Sequence, residues 1–369
     1  MRIALIGDAA SPHLLKWGRA LARAPDVELW VASSRGFAAG WDGLVAPARR
    51  LALETRPDPA GGNFGVLLQL PKLARWLAAA DPDWLHAHYL TSHGTLAWLA
   101  RRLWRLRGQL VVSAWGSDIL VAPQRSALHR MLLRRVLGAS RLATSDSAHM
   151  AQRMRALGAV EVMTFPFGLD SLPDVSAAKQ PGLFFANRAL EPNYRSDRVL
   201  ALFAQVAARD PAARLVIAND GSLAAGLARQ AQHLGLRFGR LDDGAQVEAV
   251  GRLDAAPQAG FYARAQWFVS LPESDSVSVS VLEAMAHGCL PIVSDLPANR
   301  ELVEHGANGV IVGTLPDASL AESMAALAAR ADTVAAANRR WVAEHAMFPA
   351  AVERFLARLR GLKAAPPTA

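Results

Sequence analysis

The stretch that most constrains this chain is Leu271 to Asp295, LPESDSVSVSVLEAMAHGCLPIVSD. Before it, Trp267-Phe-Val-Ser-Leu271 is apolar and β-rich, so it reads as a strand. The loop Pro272 to Ser276 carries two carboxylates, Glu273 and Asp275. Ser278 to His287 predicts a helix with Val281, Leu282 and Met285 on its apolar side and one acid, Glu283. Gly288 stands where a helix C-terminal glycine belongs, and Leu290-Pro-Ile-Val-Ser294 begins another strand. This is a βαβ unit. Its loop lies at the carboxyl end of a strand, where open α/β sheets bind ligands. Serines and carboxylates beside a helix N-terminus suit a ligand carrying sugar hydroxyls and phosphate.

The same alternation runs through the chain. Arg2 to Ile6 is a short apolar strand, and Ser11 caps a helix with Pro12 at its first position. Val27 to Val31 follows as a strand. There is no G-x-G-x-x-G, so this β-α-β start gives little support to a dinucleotide site. Next come helix 72–80, strand Trp84 to His88, helix 94–107, strand Gln109 to Ser113, helix Ser126 to Leu137, strand Ser140 to Ser145, helix Ala148 to Leu157 and strand Glu161 to Phe165. Residues 171–181, SLPDVSAAKQP, break the pattern and read as an interdomain linker. A second series follows: strand Gly182 to Ala186, helix 196–208, strand Arg214 to Ala218, helix 223–234, strand 246–250, the central unit, strand Gly309 to Val312, helices over 318–346 and a terminal helix Ala350 to Leu362. The tail AAPPTA is expected to be disordered. Strands alternating with helices argue for parallel sheets, and 369 residues argue for two domains.

Charge is unevenly placed. Residues 1–175 hold 21 Lys+Arg and 13 Asp+Glu, a net +8, while residues 176–369 hold 19 of each, a net of zero. A basic half-molecule points to nucleic acid, an anionic membrane surface or an anionic substrate. The one cysteine, Cys289, permits no internal disulfide, which fits the cytoplasm. No apolar run is long enough to span a bilayer.

Six collinear stretches resemble family 4 retaining glycosyltransferases. Asp275-x7-Glu283 followed by Ala-Met-Ala-x-Gly is similar to the Glu-x7-Glu signature, with Asp in place of the first Glu. Asp83-Trp-Leu-His-Ala-His88 resembles D-x-x-H-x-H, and Val112-Ser-Ala-Trp-Gly-Ser-Asp118 resembles T-x-H-G-x-D. Phe165-Pro-Phe-Gly-Leu-Asp170 resembles the P-x-G-V-D that closes a first domain. Ala186-Asn-Arg188 with Leu215-Val-Ile-Ala-Asn-Asp-Gly221 is similar to G-R-L and L-x-I-x-G-x-G. Asn299-Arg-Glu301 with Gly306-x-Asn-Gly309 matches the segment after the central motif. The resemblance implies a GT-B α/β fold: two Rossmann-like, doubly wound domains facing a cleft, with the C-terminal helix crossing back to the N-terminal domain. The expected division is 1–170 plus 347–369 for the acceptor domain and 171–346 for the nucleotide-sugar domain. The family needs no metal and no cofactor beyond a nucleoside diphosphate sugar donor, UDP or GDP linked.

Carried over residue by residue, the resemblance assigns Glu283 to the donor ribose and Asp275 to the donor sugar, with Glu273, two residues earlier, as a rival. Arg188 matches the arginine on the diphosphate, where a planar guanidinium stabilises charge on the leaving group. The lysine expected five or six residues on is replaced by Asn193 and Tyr194, and Arg195 is the nearest substitute cation. Ser276, Asn219 and Gly251 complete the expected donor-binding set. Trp115 stands where many relatives carry histidine. It can stack on an acceptor or close the core. Asp118 is then the best polar group on the acceptor side and a candidate general base, and His13 can reach that side from the first βα loop. His86 and His88 are expected to face opposite sides of their strand and to be structural rather than metal ligands, although His88 is kept with the acceptor side. Asp81-x-Asp83 imitates a metal-binding pair but precedes its strand.

Arg101, Arg102, Arg105 and Arg107 with Trp98 and Trp104 form one basic, aromatic helix. Arg125, Arg130, Arg134 and Arg135 form another, and Lys72, Arg75 and Trp76 add to them. Such faces suit an anionic leaflet, and no nucleic-acid motif accompanies them. The combined expectation is a cytoplasmic, membrane-peripheral hexosyltransferase that moves a sugar to a lipid-linked or envelope-polysaccharide (lipopolysaccharide-type) acceptor. The alternatives are a sugar-nucleotide epimerase or hydrolase of the same fold, and a non-catalytic sugar-nucleotide-binding protein. The sequence names neither the donor base and sugar nor the acceptor, linkage or oligomeric state.

Overall fold

The computed structural model describes residues 1–55, 64–175 and 177–364. The terminal segment beyond Ala364, expected to be disordered, and Ser176 within the expected linker lie outside the described residues. The chain forms two compact units: Met1–Phe165 with the chain from Pro349 onward, and Pro166–Phe348.

The first unit holds a seven-stranded parallel sheet ordered β3-β2-β1-β4-β5-β6-β7. Its strands are β1 (Arg2–Gly7), β2 (Glu28–Ser33), β3 (Arg50–Ala52), β4 (Trp84–His88), β5 (Gln109–Ser113), β6 (Ser140–Ser145) and β7 (Val162–Thr164). The second unit holds six parallel strands ordered β10-β9-β8-β11-β12-β13. They are β8 (Gln180–Ala186), β9 (Arg214–Ala218), β10 (Val247–Gly251), β11 (Ala265–Ser270), β12 (Leu290–Ser294) and β13 (Val310–Val312). In each sheet the order reverses beside its first strand, between β1 and β4 and between β8 and β11. Both are doubly wound Rossmann-like α/β units.

The strands read as continuous apolar runs because helices cover both faces of a parallel sheet. In the second unit, Phe184, Leu215, Ile217, Trp267, Val269 and Ile292 enter one core. Their neighbours Phe185, Val216, Phe268 and Val293 enter the other.

Local signals explain several element ends. Ser11 caps helix Pro12–Ala22, its side chain accepting from the His13 amide. Helix Val279–Ala286 closes in a Schellman turn: Cys289 N donates to Ala284 O (2.8 Å), Gly288 N donates to Met285 O (3.1 Å), and Gly288 has φ of 81°. The expected helix 94–107 is shorter, Thr95–Leu103, preceded by a wide turn at Tyr89–Gly94. It stops where Arg105 enters the left-handed region with φ of 53°. The expected linker also ends early, since β8 begins at Gln180. The edge strand β3 and helix Ala255–Arg264 carried no distinct sequence signal.

The terminal helix Phe348–Ala364 packs on the first unit from Pro349 onward. Phe355 meets Trp17 (ring centroids 5.2 Å) and His86 (5.1 Å). Its outer side makes ion pairs Arg358–Glu161, Arg360–Asp26 and Lys363–Asp83. Asp83 also accepts from the Arg2 amide at 2.8 Å, so the Asp81-x-Asp83 pair is structural, as its position before the strand implies.

His86 and His88 do not face opposite sides. Residues two apart on a strand share a face, and their rings lie 4.5 Å apart beneath Trp17. Burial pushes the pKa of His86 down to about 3. His88 falls well below the ordinary value through burial, then through His86, His93 and His13 nearby. Both rings stay neutral in the fold, whereas an unfolded imidazole takes up a proton near pH 6.5. Stability is therefore complete above about pH 6.5 and falls as pH drops toward the folded values, by up to about 1.4 kcal/mol per pH unit for each group. Urea unfolding followed at pH 7 and pH 5 should show a lower midpoint at pH 5. A pH-independent midpoint across that window would contradict the burial of the pair.

Candidate functional site

In the second unit the switch point between β8 and β11 brings two distant segments together. Arg188 follows β8 by two residues and Asp275 follows β11 by five. Arg188 Nη2 donates to Asp275 Oδ2 at 2.8 Å, and Nη1 donates to Ser278 Oγ. The guanidinium lies over the Tyr194 ring, 4.4 Å from its centroid. Tyr194, one of the two residues at the missing lysine's place, thus supplies a π face that orients Arg188. The ion pair is largely shielded, with side chains 16% and 22% exposed. Burial raises the Asp275 pKa, and Arg188 pulls it back toward the charged form. Ser278 stands at the N-cap position of helix Val279–Ala286 with its hydroxyl turned to Arg188 instead of the helix amides, so the guanidinium and a helix N-terminus converge on one spot suited to an anion.

The neighbouring loops are stitched to this pair. Glu273 N donates to Asn193 O (2.7 Å) and Asn193 Nδ2 donates to Ser274 O (2.9 Å), while the Glu273 side chain is exposed. Ser276 is buried, and its amide donates to Asp275 Oδ1. On the other side of β8, Asn219 N donates to Gly251 O (2.6 Å) and Asn219 Nδ2 donates to Asn187 O (3.1 Å). Asn219 and Gly251 both have positive φ, 90° and 68°. Glu283, on helix Val279–Ala286, accepts from the Tyr262 hydroxyl at 3.0 Å.

Arg195 is not part of this cluster. Its guanidinium grips Asp197 two residues on, at 2.7 Å and 2.9 Å, which also raises its pKa. The substitute-cation expectation changes accordingly: in this structure Arg195 is committed to Asp197.

The first unit groups the acceptor-side candidates. His13 lies against Trp115 with centroids 4.8 Å apart, and Tyr89 stacks beyond it at 6.0 Å. Trp115 Nε1 donates to His88 Nδ1 at 3.1 Å, so the neutral His88 carries its proton on Nε2. Burial, then Lys16, lowers the His13 pKa.

Asp118 requires a correction. It is 2% exposed, and its two carboxylate oxygens accept from the amides of Trp115 and Leu90, both at 3.0 Å. Burial raises its pKa and these backbone donors oppose the rise. An enclosed carboxylate tied to two amides joins the Tyr89 turn to the Trp115 loop and has no position from which to take a substrate proton. Asp118 is a clamp rather than a general base.

Comparison with known proteins matches this architecture half by half. Residues 2–147 fit the family model described as glycosyl transferase 4-like, and residues 180–330 fit glycosyl transferases group 1. The chain belongs to the family 4, group 1 glycosyltransferases. It is 29% identical over 294 residues to a phosphatidyl-myo-inositol mannosyltransferase of Mycobacterium tuberculosis, covering 73% of this chain and 72% of that one. A GDP-mannose:cellobiosyl-diphosphopolyprenol alpha-mannosyltransferase of Xanthomonas oryzae is 29% identical over 139 residues, 36% of this chain and 34% of that one. Among solved structures, HepE of Anabaena in complex with UDP superposes with a TM-score of 0.75 at 17% identity, over 98% of this chain and 100% of that one. Sucrose-phosphate synthase of Thermosynechococcus elongatus gives 0.76 at 16%, over 99% and 100%. These structural likenesses establish the GT-B fold.

Three residues of this glycosyltransferase escaped sequence reasoning. Tyr262 sits on the helix that carried no signal, and Asn187 and Ser278 were read only as parts of motifs. A tyrosine on a helix before the central motif was the one available cue, and it does not by itself name Glu283 as a partner. Among the described residues no group of three His, Cys, Asp or Glu can hold a metal ion.

The clamp has a measurable consequence. Asp118→Asn replaces one acceptor by an amide donor facing a backbone N–H, which should lower stability by about 1 to 3 kcal/mol. The pH dependence of turnover should keep its shape. Loss of the acidic limb of that profile with no loss of stability would restore the general-base role.

Proposed function

We propose that the enzyme is a retaining hexosyltransferase that takes its sugar from a nucleoside diphosphate donor, UDP or GDP linked, and passes it to a lipid-linked or envelope-glycan acceptor. The observation that carries this reading is the Arg188–Asp275–Ser278 cluster at the β8/β11 switch point, capped by a helix N-terminus. In this reading Arg188 and the helix end hold the diphosphate, Asp275 meets the transferred sugar and Glu283 the ribose. Asp275 is one methylene shorter than the family's glutamate, and its ion pair with Arg188 fixes where its carboxylate stands. Charge builds on the leaving phosphate as the glycosidic bond breaks, and a preorganised guanidinium stabilises it there. His13, Trp115 and Tyr89 form an aromatic and imidazole surface suited to an acceptor ring. The reading asks for no metal. The relatives named for mannose transfer to lipid-linked acceptors support the acceptor class.

Arg188→Ala should lower kcat about 100- to 1000-fold, the usual cost of losing one preorganised charge donor. Asp275→Asn should lower it while leaving nucleotide binding nearly intact. Both are read by release of UDP or GDP from donor, with EDTA present, with and without acceptor lipid. Nucleotide release independent of acceptor would favour the hydrolase, isomerisation of the donor sugar without release would favour the epimerase, and binding with no turnover over any lipid extract would favour the non-catalytic reading.

We also propose that the first unit docks on an anionic cytoplasmic leaflet. Helices Leu70–Ala80, Thr95–Leu103 and Ala127–Ala139 pack side by side on it. They, the short helix Phe64–Leu68 before them and the cap residue Trp104 expose Leu67 (41%), Leu68 (81%), Leu103 (60%), Trp104 (39%), Leu128 (54%) and Met131 (49%). Arg102, Arg105, Arg130 and Arg134 are exposed beside them and make no ion pair among the described residues. Apolar side chains between unpaired cations suit headgroups, each cation adding about 1 kcal/mol. Among the described residues no helix is long and apolar enough to cross a membrane. Flotation with phosphatidylglycerol vesicles at low salt should carry the protein upward, and Leu103→Asp with Leu128→Asp should abolish this. Sedimentation of wild type away from the vesicles would refute docking.

A further inference from the structure

The group beneath Glu283 is built more tightly than a solvent-facing carboxylate requires. Tyr262, on helix Ala255–Arg264, is 1% exposed. Its ring is held on several sides: His287 stacks on it at 5.4 Å with an interplanar angle of 12°, while Phe185 and Phe268 lie at 5.1 Å and 5.5 Å. Its backbone carbonyl is pinned by Lys179 Nζ (2.7 Å) and by the Cys289 thiol (3.1 Å). The hydroxyl therefore has one place to be.

That hydroxyl is the middle of a directed chain. Asn187 Nδ2 donates to Tyr262 Oη at 2.7 Å, and Tyr262 Oη lies 3.0 Å from Glu283 Oε2 and 3.3 Å from Ser280 O. A phenol has one proton. With the amide donating into its oxygen, the proton is left for Glu283, the nearer acceptor and the stronger one when ionised. Burial and the adjacent Glu283 push the phenol pKa well above its ordinary value, so Tyr262 remains a donor at any working pH. Asn187 in turn precedes Arg188, and its backbone carbonyl accepts from Asn219. The chain Asn187–Tyr262–Glu283 ties the strand end bearing Arg188 to the helix bearing Glu283.

We propose that Tyr262 is a positioning residue that orients the Glu283 carboxylate for the donor nucleotide, with Asn187 setting the direction of its hydrogen bond. This rests on the reading of Glu283 as the ribose contact. It makes donor affinity depend on a buried phenol that touches no substrate. The fixed carboxylate loses less freedom when a ribose binds, which is where preorganisation raises affinity.

The test is a double-mutant cycle read by calorimetry with UDP and with GDP, on Tyr262→Phe, Glu283→Ala and the double variant. Glu283→Ala should weaken the tighter of the two nucleotides by about tenfold or more, and Tyr262→Phe by about tenfold, the worth of one hydrogen bond to a charged group. The double variant should bind no worse than Glu283→Ala alone, because Tyr262 acts only through that carboxylate. A purely structural tyrosine would give additive losses, and that result overturns the proposal. Weakening in Glu283→Ala with none in Tyr262→Phe also overturns it, while leaving the ribose reading in place. No effect of Glu283→Ala, or no binding of either nucleotide to wild type, removes the ribose reading and the proposal with it. If Tyr262→Phe does not fold, Asn187→Ala enters the same cycle in its place. A several-fold loss that vanishes in the Glu283→Ala background supports the chain, and an unchanged affinity overturns it.

Discussion

Parallel pairing of β8 with β11 is the interaction on which the candidate site depends. Backbone hydrogen bonds set Phe184 beside Trp267 and Phe185 beside Phe268. They thereby deliver Arg188 and Asp275, 87 residues apart in sequence, to the same edge of the sheet. The sheet continues outward on both sides, so the strand ends from which the two loops start are fixed. From those fixed ends the loops are tied to each other, Glu273 N to Asn193 O and Asn193 Nδ2 to Ser274 O, and a partly buried ion pair forms between them. Holding two flexible charged side chains together from loops alone would cost more entropy than an exposed pair returns.

The second support is the enclosure of polar groups that look catalytic in sequence. His88 ends β4, His86 lies two residues before it, and Asp118 lies just past β5, near the strand ends where ligands usually bind. Yet the structure gives them work inside the fold. Asp118 satisfies two backbone donors that would otherwise be orphaned in buried turns. His86 Nε2 shares a hydrogen bond with Ser113 (2.7 Å), which continues to Thr144 (2.7 Å). These bonds hold β4, β5 and β6 in register beneath the loops that carry His13, Tyr89 and Trp115.

Much of the fold was legible because it rests on local signals. Alternating apolar runs, Ser11 with Pro12, and Gly288 after Met285 each announce an element end by short-range sterics and hydrogen bonding. The motifs around Arg188, Asp275 and Glu283 were legible for the same reason: each is a few residues long. Two further differences are local but carry no recognisable residue signal. Helix 94–107 was overextended because nothing in RRLWRLR signals the left-handed turn at Arg105. Arg195 was taken for a phosphate-facing cation because sequence shows proximity to Arg188 but not the local grip of Asp197.

The sequence by itself determined the class of fold, its two-part organisation, the positions of the βα loops and the concentration of positive charge in the first half. All of these follow from periodicity, composition and short motifs. Only the tertiary structure decided which polar residues are consumed by the fold. It turned Asp118 from a base into a clamp, put both strand histidines under one tryptophan, and placed Tyr262 between Asn187 and Glu283. Hydrogen-bond partners and burial are properties of packed neighbours, and those neighbours come from elements that the sequence leaves far apart.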